Sequence, residues 1–343
     1  MNRITKTLYS ILLLAALFGS LVSCNKSSKG PDLLSVAVFV PGIVSGSPIY
    51  EMLVDGAQKA VSEVKDARLK IIEAGFDQST WQETLRDIAA SNEFGIIISS
   101  NPSLPELCDK ISKDYSAVRF IIADSYLEGK PSIHTVLYNQ KEQGYIVGYL
   151  AGLKTKNMMP EGKPVAGMVV AQHYPTLDRL IIPGFEAGLK AVDPEFTLLV
   201  REIGNWFDTA KAAELASALF SEGVKVILPI AGSAGQGVVS AAKERGFNVV
   251  WFDGDGYSMD PDTVIGCATL AQDKLVYGQL KAALFGDTSI YGRADIASIK
   301  DGYIDFDPDG RGYKMLPQEI RSNFEAALAS LKNGNPDFSM DSF

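Results

Sequence analysis

The sequence predicts an α/β fold of two doubly wound, Rossmann-like lobes joined by a hinge. Three observations support this prediction. Apolar strands rich in β-branched residues alternate with amphipathic segments of ten or more residues. The alternation runs in two similar series, 33–138 and 139–253, and each series is long enough to form a domain with its own core. The strands are continuous apolar runs, which is typical of parallel sheets covered by helices on both faces.

The first series contains strands of Val, Ile, Leu and Phe, each followed by a loop and then by apolar residues at helical spacing. The predicted strands are 34–40, 69–74, 95–99 and 118–123, and the predicted helices are 52–64, 81–91 and 104–114. A helix over 142–153 then begins the second series. Its predicted strands are 165–170, 196–203, 224–230 and 248–252, with helices over 177–192, 209–222 and 237–245.

The remaining residues complete the predicted domain organisation. We assign residues 33–138 and about 256–270 to the N-terminal lobe, and residues 139–253 and about 271–335 to the C-terminal lobe, with 336–343 as a tail. Ligands of doubly wound sheets bind beyond the carboxyl ends of the strands. The candidate site therefore lies in the loops that follow the strands of both lobes.

Composition excludes several classes of protein. The chain has 343 residues, of which 46% are hydrophobic and 21% charged, so it is not a disordered chain. Its formal net charge of -9 disfavours nucleic acid as a partner. Two histidines and three cysteines are scattered along the chain, so no zinc site and no cofactor are expected. Cys108 and Cys267 are expected to be buried free thiols, although an exported location would permit a disulfide.

The N-terminus is typical of an export signal. Basic residues precede a short apolar run, which is followed by small residues and then Cys24. The segment Leu21-Val22-Ser23-Cys24 resembles the bacterial lipobox, in which the cysteine is acylated. We expect a signal peptide over 1–23, lipidation at Cys24 and a polar tether over 24–32. The alternative is an ordinary secreted protein with an unrelated cysteine. The expected location is the bacterial cell envelope, with the protein held at the membrane by lipid.

Four segments carry a family resemblance. Residues 183–194, with the sequence PGFEAGLKAVDP, are similar to the G-F-x-A-G-x-K-x-x-N-P segment of the BMP family of nucleoside-binding lipoproteins. Residues 204–208, 231–238 and 253–255 resemble three further signatures of that family in the same order. The resemblance spans about residues 33 to 335. It implies a type I periplasmic-binding-protein fold, a nucleoside ligand and an ABC-type permease as partner.

The resemblance also implies roles for residues of the second half. Trp206 would stack on the base, Asp253 would hold the ribose hydroxyls, and the loop containing Gly232 would lie along the ligand. The chemistry is consistent with these roles, because bases stack on aromatic side chains and a carboxylate can accept hydrogen bonds from two neighbouring hydroxyls. The alternatives are a core-capping aromatic for Trp206 and a turn or helix-cap aspartate for Asp253.

The first half departs from the family pattern. Where relatives carry a D-K-S-F-N-like stretch, this chain has GSPIY over 46–50, so a second stacking side chain would be Ile49 or Tyr50. A lysine that contacts the ribose in relatives is Leu270 here. Other residues that we expect to contact the ligand follow strands or stand in for lost polar contacts: Asn101, Asp124, His173 and Gln272. For His173, an ordinary surface or core histidine is the alternative.

Three other motifs are weak. The segment 231–235, AGSAG, resembles the nucleophile elbow of hydrolases around Ser233, but no histidine follows it in the chain. The glycines of this region do not have the spacing of a dinucleotide-binding loop. The segment 305–310, DFDPDG, copies the start of a calcium loop, so Asp305, Asp307 and Asp309 form a weak candidate metal site; the glutamate due at position twelve is Leu316.

These observations together predict a membrane-tethered solute receptor without enzymatic activity. Its two lobes would close over a nucleoside, with a purine nucleoside favoured, and deliver it to an ABC-type permease. A monomer is expected. One alternative is a sensor or surface protein of the same fold that binds a sugar or another ring compound. A more remote alternative is a serine hydrolase that uses Ser233.

Overall fold

The computed structural model describes residues 30–340 and 342–343. The predicted signal peptide and the lipidation site Cys24 lie outside these residues. Twelve strands in the described part form two six-stranded sheets. The sheets confirm the predicted α/β class with two doubly wound lobes.

The first sheet is entirely parallel and has the order β11-β5-β4-β3-β1-β2. Its strands are β1 (Ser35–Val40), β2 (Arg68–Glu73), β3 (Ile96–Ser100), β4 (Arg119–Ala123), β5 (Ile133–Tyr138) and β11 (Ala294–Ala297). Its helices are α1 (Pro48–Ser62), α2 (Gln78–Ala90), α3 (Pro105–Ser112) and α8 (Gln272–Leu284). Every residue of β1 and β3 is buried, as expected for central strands covered on both faces.

The second sheet has the order β12-β10-β9-β8-β6-β7, and only its edge strand β12 runs antiparallel. Its strands are β6 (Val165–Val170), β7 (Thr197–Glu202), β8 (Val226–Ile230), β9 (Asn248–Asp253), β10 (Val264–Leu270) and β12 (Ile304–Asp307). Its helices are α4 (Gln140–Met158), α5 (Ile182–Val192, after a π-helical turn at Leu177–Ile181), α6 (Thr209–Ser221), α7 (Gly235–Arg245), α9 (Arg311–Lys314) and α10 (Gln318–Lys332).

The chain crosses between the lobes three times. The crossings follow β5, β10 and β11. Backbone hydrogen bonds connect the crossing segments to one another. The Asn139 amide donates to the Ala297 carbonyl (2.8 Å), and the Ala271 amide donates to the Tyr303 carbonyl (2.9 Å). Short neighbouring crossings of this kind permit a hinge motion of one lobe against the other.

The position of the second crossing differs from the sequence-based assignment. Residues 264–270 form β10, which pairs with β9 in the C-terminal lobe, whereas we assigned about 256–270 to the N-terminal lobe. Residues 272–297 belong to the N-terminal lobe, because α8 packs on α1 and β11 pairs with β5. Short polar segments follow both Asp253 and Leu270, and the sequence alone does not show at which of them the chain crosses. The prediction put the crossing after Asp253, one strand before its position in the structure.

The two remaining cysteines lie in different lobes. Cys108 on α3 and Cys267 on β10 are buried free thiols. The Cys267 sulfur accepts a hydrogen bond from the Gly256 amide (3.3 Å). No helix among the described residues has the length and apolar character needed to cross a membrane.

Candidate ligand-binding cleft

Two aspartates lie at the carboxyl ends of strands from different lobes, at the interlobe cleft. Asp124 follows β4 of the N-terminal lobe, and Asp253 ends β9 of the C-terminal lobe. Both have left-handed backbone conformations, with φ of 51° and 73°. That conformation is unusual for a residue with a side chain and is often found at binding sites. The strand ends therefore aim two carboxyl groups into one space.

The surroundings of these carboxyl groups disfavour their charged forms. Burial raises the pKa of Asp124 to about 8, and the charge of Asp253 raises it further toward that value. Burial also raises the pKa of Asp253 to about 6, against a lowering contribution from its hydrogen bond with Gln143. Both side chains are only partly accessible to water. They lie in a narrow cleft, where protein replaces most of the hydration of a carboxylate.

Gln143 connects the second aspartate to helix α4. Its Nε2 donates to Asp253 Oδ1 (3.0 Å) and to the Ala268 carbonyl (3.2 Å). Its Oε1 is buried and has no hydrogen-bond partner in the described part of the chain, and the same holds for Asp124 Oδ1. Buried polar atoms usually have partners. Asn139 Oδ1 and Thr155 Oγ1 are unpaired as well within the same described residues. The Asp124 and Gln143 oxygens differ from these in belonging to a cleft aspartate and to the hydrogen-bond partner of the other cleft aspartate.

An aromatic wall lies beside the carboxyl groups. The rings of Tyr174 and Trp206 are 5.9 Å apart between centroids and inclined by 51°. Burial raises the pKa of Tyr174 well above its ordinary value, and the charges of Asp124 and Asp253 add to this, so its hydroxyl lies near both. A Cβ on Gly232 would lie 3.3 Å from the Trp206 ring, and Gly232 has a positive φ of 55°. Glycine at this position lets the loop backbone approach the indole closely.

Tyr50 and Asn101 contribute from the N-terminal lobe. The Tyr50 hydroxyl donates to the Pro41 carbonyl (3.1 Å) and is hydrogen-bonded by Asn101. Burial raises the pKa of Tyr50 to about 12; the Asn101 hydrogen bond lowers it, and the charge of Asp124 raises it. Asn101 is itself held by an Asx turn, in which its Oδ1 accepts from the Ser103 amide (2.8 Å). The structure therefore brings Tyr50 and Asn101 to the Asp124 side of the cleft.

Gln272 has a structural role in place of the predicted ligand contact. Its Oε1 accepts from the Ser100 hydroxyl (2.8 Å) and from the Tyr138 hydroxyl (3.4 Å), and its Nε2 donates to the Ile49 carbonyl (2.6 Å). Both ends of this fully buried amide are used inside the N-terminal lobe. Ile49 is half-buried and packs on the core beside it. The amide therefore ties the start of α1 to β3.

His173 also differs from the prediction. Its side chain is half exposed, and its Nδ1 lies 2.6 Å from Asp178 Oδ1, which raises the pKa of the imidazole. An exposed pair of this kind is typical of a surface histidine. The neighbouring residue Tyr174 contacts Trp206 instead. Tyr174, which no sequence pattern singled out, therefore lies closer to the predicted stacking residue than His173 does.

The weaker motifs have ordinary structural explanations. The Ser233 hydroxyl donates to the Trp206 carbonyl (3.0 Å), and His134 is buried against Gln279 and the Arg293 carbonyl, so no Ser-His pair forms. The first half of the calcium-like segment belongs to strand β12, in which Asp305 pairs with Lys332 (2.6 Å). Asp309 pairs with Lys314, and Asp307 accepts from the Asp309 amide. Nowhere in the described ranges do three or more His, Cys, Asp or Glu side chains form a possible metal site.

The two lips of the cleft are in contact. A Cβ on Gly254, next to Asp253, would lie 3.1 Å from Cβ of Pro48 at the start of α1. Gly254 thus permits the C-terminal lobe to touch the N-terminal lobe beside the carboxyl groups. The lobes are therefore in a closed arrangement, in which Asp253 is close enough to raise the pKa of Asp124 and both aspartates are close enough to raise that of Tyr174.

The sequence and fold match those of known solute receptors. The profile of the Bmp family, described as ABC transporter substrate-binding protein PnrA-like, matches residues 33–332. The chain belongs to this family. Bmp proteins are substrate-binding proteins of ABC transport systems, which work outside the cytoplasm.

Individual Bmp relatives and solved structures agree with this assignment. Basic membrane protein A1 of Borrelia garinii is 22% identical over 94% of each chain. A purine-binding protein of Brucella abortus is 25% identical over 66% of this chain and 60% of its own length. The crystal structure of an ABC transporter solute-binding protein from Aeropyrum pernix superposes with a TM-score of 0.75 at 19% identity, covering 88% of this chain and 92% of the other. This structural similarity shows that the fold is shared.

The Bmp-like segment 183–194 has a packing role. A Cβ on Gly184 would overlap the Lys141 carbonyl, and a Cβ on Gly188 would overlap the Tyr145 carbonyl. Helix α5 therefore packs against α4 through direct backbone contact, which only glycine permits. Because α4 also carries Gln143, this packing fixes the amide that hydrogen-bonds Asp253. The segment that resembled the family most closely thus supports the cleft without facing it.

Proposed function

We propose that this chain is the exported, lipid-anchored receptor of an ABC-type uptake system and that it binds a nucleoside in the interlobe cleft, with a purine nucleoside favoured. The lipid would be attached at Cys24. The receptor would act by binding alone: the ligand stabilises the closed arrangement of the lobes, and the permease recognises that arrangement. No bond of the solute is made or broken.

The observation that carries this proposal is the pairing of an aromatic wall with two carboxyl groups inside a closed cleft. Trp206 and Tyr174 offer π surfaces for a flat base, and Asp253 offers acceptors for vicinal hydroxyls. Asp124, Asn101 and Tyr50 supply polar groups from the other lobe. The purine-binding relative of Brucella abortus supports a purine as the base.

The energetics favour a ligand that completes this cleft. Stacking on an aromatic side chain contributes about 1–3 kcal/mol per base. Hydrogen bonds to charged groups contribute about 1.5–3 kcal/mol, and they are stronger where water is excluded. Asp124 Oδ1 and Gln143 Oε1 have no hydrogen-bond donor among the described residues of the closed structure and therefore carry a desolvation penalty. A ligand N–H or O–H that reaches them removes this penalty.

Calorimetry of the purified protein tests the proposal. The titrants are inosine, guanosine, adenosine, uridine and ribose. We expect binding of at least one nucleoside, and we expect Trp206→Ala and Asp253→Ala each to weaken it at least tenfold. Trp206→Phe keeps an aromatic face and is expected to lose less affinity than Trp206→Ala. The matched control Asp55→Asn removes an exposed carboxylate of α1 and leaves binding unchanged.

Two results would contradict the proposal. If all five titrants are silent while a sugar-like solute other than ribose or an amino acid binds, the receptor class stands and the nucleoside assignment fails. If a nucleoside binds but both alanine variants bind it as well as the original chain does, the ligand site lies elsewhere.

A further inference from the structure

Acidic groups surround the cleft, and no basic group balances them among the described residues that influence the two aspartates. Asp124 and Asp253 approach each other from different lobes, and the ion pairs among the described residues include neither of them. The titratable groups that face them are also acidic or neutral: the hydroxyls of Tyr50, Tyr138 and Tyr174. The charge of a third carboxylate, that of Asp273, also raises the pKa of Tyr138. No lysine, arginine or histidine contributes to the pKa of either cleft aspartate.

Hydrogen-bond acceptors without a donor also remain around the two aspartates. The Gln143 Nε2 group donates hydrogen bonds to Asp253 Oδ1 and to the Ala268 carbonyl. Its fully buried Oε1 and the buried Asp124 Oδ1 remain acceptors without a donor in residues 30–340 and 342–343. The described part of the cleft therefore offers acceptors and negative charge in excess.

Two neighbouring carboxyl groups in a place with little water cannot both remain ionised at low cost. The closed cleft has two ways to remove this cost. One carboxyl group can keep its proton, as the raised pKa of Asp124 indicates, or a ligand can bring the missing positive charge. The π faces of Tyr174 and Trp206 attract a cation as well, and more strongly when water is excluded.

We propose that the cleft selects an aromatic ligand that carries a positive charge, with the charged ring held by the carboxylate of Asp124 and the Tyr174–Trp206 wall while Asp253 accepts from the sugar hydroxyls. This inference rests on the proposed function, because it takes the interlobe cleft as the nucleoside site and adds the charge of the base. The preferred class is a nucleoside whose ring is a cation near neutral pH, such as a base methylated on a ring nitrogen. A neutral nucleoside would leave Asp124 protonated.

The test compares nucleosides that differ in charge but little in size. Isothermal titration calorimetry at pH 7.0 uses adenosine, N6-methyladenosine and 1-methyladenosine, together with guanosine and 7-methylguanosine. N6-methyladenosine carries the extra methyl group without the charge, so it controls for size. We expect 1-methyladenosine to bind at least tenfold more tightly than both neutral adenosines, and 7-methylguanosine more tightly than guanosine.

Proton release is a second readout. In the closed cleft the pKa of Asp124 is raised to about 8, so this carboxyl group keeps its proton at pH 7 when no cation is bound. A cation that pairs with its carboxylate is expected to release close to one proton, measured by titration in buffers of different ionisation enthalpy. Asp124→Asn should abolish this release and should cost the cation at least tenfold more affinity than it costs the neutral nucleoside. Asp55→Asn should change neither.

The outcomes separate the two proposals. If neutral nucleosides bind as tightly as their cationic counterparts or more tightly, the charge preference is overturned and the proposed function stands. If cations are preferred but Asp124→Asn keeps both the preference and the proton release, the assigned carboxylate is wrong and the inference fails. If none of these five nucleosides binds, the inference fails. The proposed function fails as well only if inosine and uridine are also silent in the calorimetry described above.

Discussion

Replacing Asp124 by Asn is expected to stabilise the ligand-free protein, and to do so more at pH 8 than at pH 5. Asparagine resembles the protonated acid in shape but cannot ionise. The pKa of Asp124 is raised from 3.8 to about 8 in the folded protein. The folded state therefore binds this proton more tightly than the unfolded chain does. The stability linked to the proton is complete below about pH 4 and is lost as the pH rises toward 8.

The size of the effect follows from the shift. Each pKa unit corresponds to 1.36 kcal/mol, so at pH 8 the cost of ionising Asp124 in the closed cleft reaches about 5 kcal/mol. The carboxyl group is partly accessible to water and the lobes can separate, so we halve this to about 2–3 kcal/mol. The same arithmetic leaves less than about 1 kcal/mol at pH 5. For a chain of this length unfolding as one unit, the gain of about 2–3 kcal/mol at pH 8 corresponds to about 3–4 °C in Tm.

The assay is thermal and urea unfolding of the original chain, Asp124→Asn and Asp55→Asn at pH 5 and pH 8 without ligand. Asp55 is an exposed aspartate of α1, so its variant controls for the loss of one surface charge. We expect a pH-dependent gain for Asp124→Asn alone. An Asp124→Asn variant that is no more stable than the original chain at pH 8, or equally stabilised at both pH values, would refute the reasoning.

Three further predictions concern packing and closure. Gly184→Ala places a methyl group on the Lys141 carbonyl and should lower the free energy of unfolding by about 2–4 kcal/mol in urea titrations; an unchanged midpoint would contradict the packing of α5 on α4. Gly254→Val pushes against Pro48 and should weaken nucleoside binding about tenfold while leaving the Tm within about 2 °C, because only the closed form is hindered; equal affinity would show that the lips need not meet. Phe338→Ala removes a side chain that packs 5.3 Å from the Tyr145 ring beside the hinge and should cost about 1–3 kcal/mol of stability in the same titrations, and a neutral effect would mean that the tail does not brace α4.

Much of the fold could be predicted because its signal is local. The continuous apolar strands and the helices between them have the expected periodicity, and most predicted elements match within a few residues. Four of the described strands were not predicted. His134 and Thr135 interrupt the apolar pattern of β5, Gly266 interrupts that of β10, and β11 and β12 have only four residues each. The misplaced crossing follows from the same weakness, since a strand that is not recognised cannot be assigned to a sheet.

The candidate site was less predictable because it depends on contacts between distant parts of the chain. Asp124 was proposed from its position after a predicted strand, which the topology of parallel sheets makes informative, and Asp253 was proposed from the family resemblance. Gln143 gave no signal, because a glutamine in the first turn of a helix is ordinary in sequence. Its importance appears only when α4 packs under β9 and brings the amide to Asp253. Gln272 was misjudged for the converse reason, since its partners come from β3, β5 and α1.

The most direct test of the account is a crystal structure of the protein grown with the nucleoside that calorimetry identifies. If a nucleoside binds in the interlobe cleft as proposed, we expect a closed structure with the base against the Trp206 ring and the sugar hydroxyls within hydrogen-bond distance of Asp253. We also expect a ligand N–H or O–H at Asp124 Oδ1 or Gln143 Oε1. A nucleoside bound outside the interlobe cleft, or a cleft that stays open around it with Trp206 and Asp253 untouched, would contradict the central claim.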